Sequence, residues 1–266
     1  VVAVRRVERA GRRRDVVVAL TSPTQQPPAW CLDATALAAE VHLVHGPDKW
    51  VAVADLLRRR PDLAEGEGTV WIPDADVSCS AEVAAAVFAL HEELGLLVSH
   101  PALAAAGWAA HPVTRPHGGF AVRLVDHVEA TAPLFDRAAL DRVAPTFGSG
   151  AGPGLPHAWR VLLGGAARLA VLDCLVVTAG APRARPAQHA ATALAVEHGA
   201  AVPCAPQLRG GWDVGFSPLA HRAALELSLR HLLDPQAPQR AGAPGSDDAR
   251  YVAGLRTDLA LATREV

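Results

Sequence analysis

Thr69-Val70-Trp71-Ile72-Pro73-Asp74-Ala75-Asp76 is the stretch whose reading decides the fold. Its apolar, β-prone start reads as a buried strand, and Pro73 cannot extend a hydrogen-bonded ladder, so the strand stops there. Two carboxylates one residue apart then leave the strand's carboxyl end. That edge is where open α/β sheets bind ligands. Paired carboxylates suit a hard divalent cation, which in turn holds a diphosphate. The alternative is a helix cap, with Asp76 or Ser78 leading an expected helix over 81–90.

Working outward, strands are expected at 15–20, 41–44, 96–99 and 169–177, with strand-like stretches within 120–130. Helices are expected at 32–40, 50–60 (stopped by Pro61), 81–90, 136–143, 159–164, 187–198, 218–233 and 251–263. Residues 111–119 and 148–156 are rich in Gly and Pro and read as loops. Alternating strands and helices argue for an α/β layered fold. The expected organisation is a solvated, partly disordered basic arm over 1–14, carrying Arg5, Arg6, Arg9, Arg12, Arg13 and Arg14, a domain over 15–234, and a linker with a C-terminal helix over 235–266.

The chain has 266 residues, half of them hydrophobic, and a formal net charge of −2, so it can build a sizeable core and has no global attraction to nucleic acid or anionic membranes. The four cysteines, Cys31, Cys79, Cys174 and Cys204, form no Cys-x-x-Cys pair, which argues against a zinc site and for buried free thiols in a reducing cytoplasm. A cytoplasmic location without a membrane span is the expectation, since no uncharged apolar run reaches about 18 residues. Gly-x-Ser-x-Gly, phosphate-loop and dinucleotide-binding glycine patterns are absent, which sets aside serine hydrolases, ATPases of that type and Rossmann enzymes. A phosphatase of the haloacid dehalogenase type also carries Asp-x-Asp after a strand, but its chemistry needs a downstream lysine. The only lysine here, Lys49, lies upstream.

Several short segments in order resemble one family. They include Gly46-Pro47-Asp48-Lys49-Trp50, Trp71 to Asp76, His100-Pro101-Ala102-Leu103, His111-Pro112-Val113-Thr114 and Val128 to Phe135. Pro145-Thr146-Phe147, Gly152-Pro153-Gly154-Leu155 with Trp159, and Leu172-Asp173 with Val176-Val177-Thr178 complete the set. Across roughly residues 15–200 the chain resembles the DUF707 group, which is similar to glycosyltransferases of the GT-A fold.

The resemblance implies a single GT-A-like domain with a central mixed sheet flanked by helices. It implies transfer of a sugar from a nucleotide-diphosphate donor to an unknown acceptor, assisted by Mn²⁺ or Mg²⁺. Asp74 and Asp76 would hold metal and donor, with Asp76 the closer ligand. Lys49 and Trp50 would line the donor site, with Trp50 either stacking on the ligand or packing in the core. Two departures stand out. Relatives carry Asp at the position of Pro156, which makes the neighbouring His157 a candidate base, and Glu129 is a second candidate catalytic group. Relatives also carry His near Ala179, leaving His189 as a substitute third metal ligand. Weaker metal binding, a changed acceptor or a catalytically degenerate nucleotide-sugar-binding domain are the alternatives these departures leave open.

Overall fold

The computed structural model describes residues 2–5, 16–20, 40–43, 48–63, 68–107, 109–149, 152–164, 168–180, 197, 207–233 and 246–264. Its strands are β1 (Val2–Arg5), β2 (Val16–Leu20), β3 (Glu40–Leu43), β4 (Thr69–Trp71), β5 (Val98–Leu103), β6 (Phe120–Val125), β7 (Leu134–Asp136), β8 (Leu169–Val177), β9 (Leu208–Asp213) and β10 (Pro218–Leu219). They form one open mixed sheet in the order β10-β9-β6-β8-β5-β7-β4-β1-β2-β3. The helices are α1 (Lys49–Arg59), α2 (Ala81–Glu93), α3 (Arg137–Val143), α4 (Leu155–Leu162), α5 (His221–Leu233) and α6 (Ser246–Arg264). The α/β class expected from the sequence is therefore observed, in an arrangement compatible with a single domain.

Pairing fixes the polarity of the sheet. β5 and β8 are parallel, β7 is antiparallel to both β4 and β5, and β6 is antiparallel to β8. The carboxyl ends of β4, β5 and β8 consequently lie along one edge. Alternation then splits the strand side chains between two faces. Leu103, Leu134, Ala170 and Leu172 pack with Val87 and Phe88 of α2. Val98, Ala102, Phe135, Leu169 and Val171 pack with Trp50, Leu56, Leu140, Trp159, Leu225 and Tyr251 from α1, α3, α4, α5 and α6.

Local chemistry sets the helix starts. Asp48 caps α1 by accepting from Trp50 N and Val51 N, and Asp136 caps α3 by accepting from Ala139 N. Pro156 sits in the first turn of α4, where a missing N–H costs nothing. The loop expected over 148–156 thus gives way to helix at Leu155.

Other expectations change as well. Val2–Arg5 is a strand between β2 and β4 rather than part of a solvated arm, because Val-Ala-Val is β-prone and both neighbours offer it partners. β5 continues beyond Ser99 through Pro101, whose missing N–H coincides with a register shift between Pro101 and Ala102. Pro218–Leu219 pairs with β9, so α5 begins only at His221. Glu40 belongs to β3, and Ser246 to Asp248, expected as linker, open α6. The expected helix over 187–198 falls almost wholly outside the described residues.

Beyond β6 the chain does not stay extended to residue 130. Residues 126–133 cross from the start of β8 to the end of β4 as a non-repetitive segment that is buried at Asp126, His127, Val128 and Glu129. Irregular backbone inside a domain must find partners for its polar groups. That demand brings several of the candidate residues together.

Candidate functional site

The Asp-x-Asp loop leaves β4 at the shared carboxyl edge. Asp74 N donates to Thr131 O at 2.7 Å, and Val77 N closes a turn onto Asp74 O at 3.1 Å. Ser78 and Thr178 then exchange backbone hydrogen bonds of 2.8 and 3.0 Å, tying the loop to the end of β8. Asp76 is exposed, and its carboxylate lies against Gly180: a Cβ built on that glycine would stand 2.6 Å from Asp76 Oδ2.

Neither aspartate caps a helix. Ser80 is the N-cap of α2 and accepts from Val83 N at 3.3 Å, so the cap reading for Asp76 or Ser78 does not hold. A hydroxyl directly before the helix has the right spacing to reach the third amide, whereas Asp76 lies a further turn away.

Lys49 joins the loop from α1. Its ammonium contacts Asp74 Oδ1 at 2.6 Å and donates to Ile72 O at 3.2 Å, to Thr131 O at 3.3 Å and to Ala130 O. Burial lowers the ammonium's pKa, opposed chiefly by the negative charge of Asp74. Trp50, the other expected donor contact, is 4 % exposed and packs among Phe135, Phe147 and Trp159, with centroids 4.7 Å from Phe147 and 5.2 Å from Trp159. Of the two roles expected for Trp50, the structure shows core packing. Apolar neighbours at helical spacing on α1 draw the ring inward.

Glu129 lies two residues from Thr131 on the crossing segment and is 3 % exposed. Its carboxylate accepts from Ala110 N (3.1 Å), His111 N (2.7 Å), Thr114 Oγ1 (2.7 Å) and Thr131 Oγ1 (3.3 Å). Burial raises its pKa, and these donors pull it back down. The geometry is that of a brace joining the turn at Pro112–Thr114 to the segment below the Asp-x-Asp loop.

His157, on the first turn of α4, has its ring 5.2 Å from that of His127, which is 5.7 Å from that of His111. Arg160, one turn further along α4, pairs with Asp126 at 3.0 Å. Burial and the Arg160 charge lower the pKa of His157, and burial followed by the neighbouring His157 holds His127 well below the usual histidine value. His157 is therefore neutral near pH 7 and only half-buried, so its imidazole has proton-accepting capacity.

Three buried groups escaped the sequence reading as partners. Arg123 on β6 pairs with Asp173 on β8, and His100 on β5 accepts Ala132 N through Nε2 at 3.1 Å. Polar residues at inward positions of apolar strands are the signal that marks them: His100 and Arg123 stand where alternation calls for hydrophobic residues.

Among the described residues no metal site is formed by protein side chains alone. Lys49 contacts Asp74 Oδ1, buried Ala179 offers no ligand atom on its side chain, and His189 lies outside the described residues. Among the described residues no group of three or more His, Cys, Asp or Glu side chains is arranged to hold a metal ion. Nor is any helix among them long and apolar enough to cross a membrane. Comparisons with family models, curated proteins and solved structures found no match to this chain.

Proposed function

We propose that this chain is a GT-A-like glycosyltransferase whose carboxyl sheet edge receives a nucleotide-diphosphate sugar. The observation that carries the reading is the placement of Asp74 and Asp76 at that edge, free of any helix-capping duty and beside the end of β8. The segment resemblance to the DUF707 group supplies the substrate class.

In such a transfer the bond from the sugar's anomeric carbon to the diphosphate breaks, and a bond to an acceptor oxygen forms. The acceptor's proton must pass to a base. His157 suits that role better than Glu129, because its imidazole is neutral and part-exposed while the Glu129 carboxylate already accepts from four donors. A divalent cation, Mn²⁺ or Mg²⁺, would offset charge on the departing diphosphate. Among the described residues the donor set does not fit a metal site without the diphosphate's own oxygens.

A second reading, nucleotide-sugar binding without turnover, is favoured by the bracing role of Glu129 together with Pro156 and Ala179. Calorimetric titration with UDP-, GDP- and dTDP-sugars, with and without Mn²⁺, followed by product analysis over an acceptor panel, separates the two. Binding with turnover is expected. Binding without turnover supports the second reading, and no nucleotide binding overturns both. Asp76→Asn is expected to weaken nucleotide binding more than Asp74→Asn.

A further inference from the structure

The chain's only lysine occupies the first position of α1, where the Asp48 cap fixes the start of its stem. Its ammonium meets four oxygens: Asp74 Oδ1 at 2.6 Å, Ile72 O at 3.2 Å, Thr131 O at 3.3 Å and Ala130 O. The face of Trp50 lies beside it, with the ring centroid at 4.6 Å. A carboxylate, three carbonyl dipoles and an aromatic face form the shell of a desolvated cation. The oxygens come from two chain segments, the β4 exit and the 126–133 crossing, and the ammonium from a third. Joining them organises the loop that presents Asp76.

We propose that Lys49 is the built-in cation of the Asp-x-Asp loop. Its ammonium neutralises Asp74 in place of a metal ion, Asp74 is a positioning residue rather than a metal ligand, and Asp76 alone faces the ligand. A divalent ion drawn to Asp74 would lie within a few ångströms of a fixed positive charge, and Coulomb repulsion disfavours that. The proposal departs from the resemblance, which gives both carboxylates to the metal. It stands apart from sugar transfer, and its test contains no sugar donor.

Mn²⁺ binding followed by electron paramagnetic resonance, without nucleotide, compares the wild type with Lys49→Ala and Lys49→Met. Both variants are expected to bind Mn²⁺ at least tenfold more tightly, because the carboxylate and carbonyls are released. Affinity unchanged or lowered in the folded variants overturns the proposal. K⁺ or NH₄⁺ is also expected to raise the melting temperature of Lys49→Ala over tetramethylammonium at equal ionic strength, while the wild type shows no such selectivity. Equal response of Lys49→Ala to all three ions counts against the proposal.

A measurement on the wild type removes dependence on variant folding. With one lysine, reductive methylation followed by peptide mapping reports Lys49 alone. It is expected to resist methylation in the native chain, with or without millimolar Mg²⁺, and to react once the chain is unfolded. Rapid methylation of the native chain, or methylation triggered by Mg²⁺, overturns the proposal.

Discussion

Arg123 Nε and Nη2 donate to Asp173 Oδ2 and Oδ1 at 2.8 and 2.7 Å, and both side chains are fully buried between β6 and β8. His117 N adds a third hydrogen bond to the same carboxylate at 2.9 Å, and Arg123 Nη2 also donates to Arg115 O at 2.6 Å. This pair anchors the loop before β6 to the strand whose end supports the Asp-x-Asp loop. The charge of Asp173 and its hydrogen bonds raise the pKa of Arg123 despite burial, so the guanidinium stays charged. Asp173→Ala strands that charge and is expected to cost about 3–5 kcal/mol, whereas the double replacement Arg123→Met with Asp173→Leu recovers most of the loss. Urea unfolding of the wild type and these two variants checks this. A single-variant loss below about 1 kcal/mol would refute a structural role of this size.

Glu129→Gln tests the brace. Replacing a carboxylate that accepts four hydrogen bonds with an amide turns an NH₂ group toward donors, at an expected cost of about 1–3 kcal/mol. Loss of stability together with lost activity identifies Glu129 as a brace. Loss of turnover with an unchanged urea midpoint would restore it as a catalytic group.

Gly180 provides a probe of Asp76 that leaves the carboxylate itself intact. A methyl group there meets Asp76 Oδ2 at 2.6 Å, and the carboxylate can swing away because it is exposed. Gly180→Ala is expected to change stability by no more than about 0.5 kcal/mol while lowering nucleoside-diphosphate affinity several-fold. Gly211→Ala is the contrasting case. Its Cβ would meet the backbone carbonyl of Val122 at 2.3 Å, so the β6–β9 pairing must part and the melting temperature must fall. An unchanged nucleotide affinity in Gly180→Ala would remove Asp76 from the binding site.

Acid should destabilise the fold through its buried histidines, among them His91 and His100. Burial lowers His91 to about 3 and His100 to about 4, against an unfolded value of 6.5. Between pH 6.5 and about 4 the unfolded chain binds more protons at these sites, so their stabilising contribution is full above pH 6.5 and is lost as pH falls. The loss is roughly 3 kcal/mol or more per histidine at the low end. Glu129, with its raised pKa, acts in the opposite sense over the acid range. Urea midpoints are expected to fall from pH 7.5 to pH 4.5, less steeply in His100→Gln than in the wild type. Identical slopes in the two proteins would exclude His100 as a contributor.

The elements legible in the sequence are those whose signals are local. The run at 69–73 holds a strand, β4 at Thr69–Trp71, that stops before the proline, β8 spans Leu169–Val177 as its strand-like run predicts, and Asp136 caps the helix it precedes. β7 is only three residues long, and β9 carries two adjacent glycines, so neither has enough periodicity to be seen. The Asp-x-Asp loop was visible because a strand, a breaker and two carboxylates are contiguous. Its company was not.

Composition, the α/β alternation and the exit of Asp74 and Asp76 from a strand were determined by the sequence alone, since propensity, capping and chain-breaking act within a few residues. Tertiary structure alone decided what those aspartates meet. Lys49 reaches carbonyls 23, 81 and 82 residues away, and Arg123 meets Asp173 across 50 residues. It also turned Trp50 inward and gave Glu129 four donors. Such pairings form because a buried charge must find compensation wherever folding brings an opposite charge or dipole, and that neighbour has no fixed spacing along the chain.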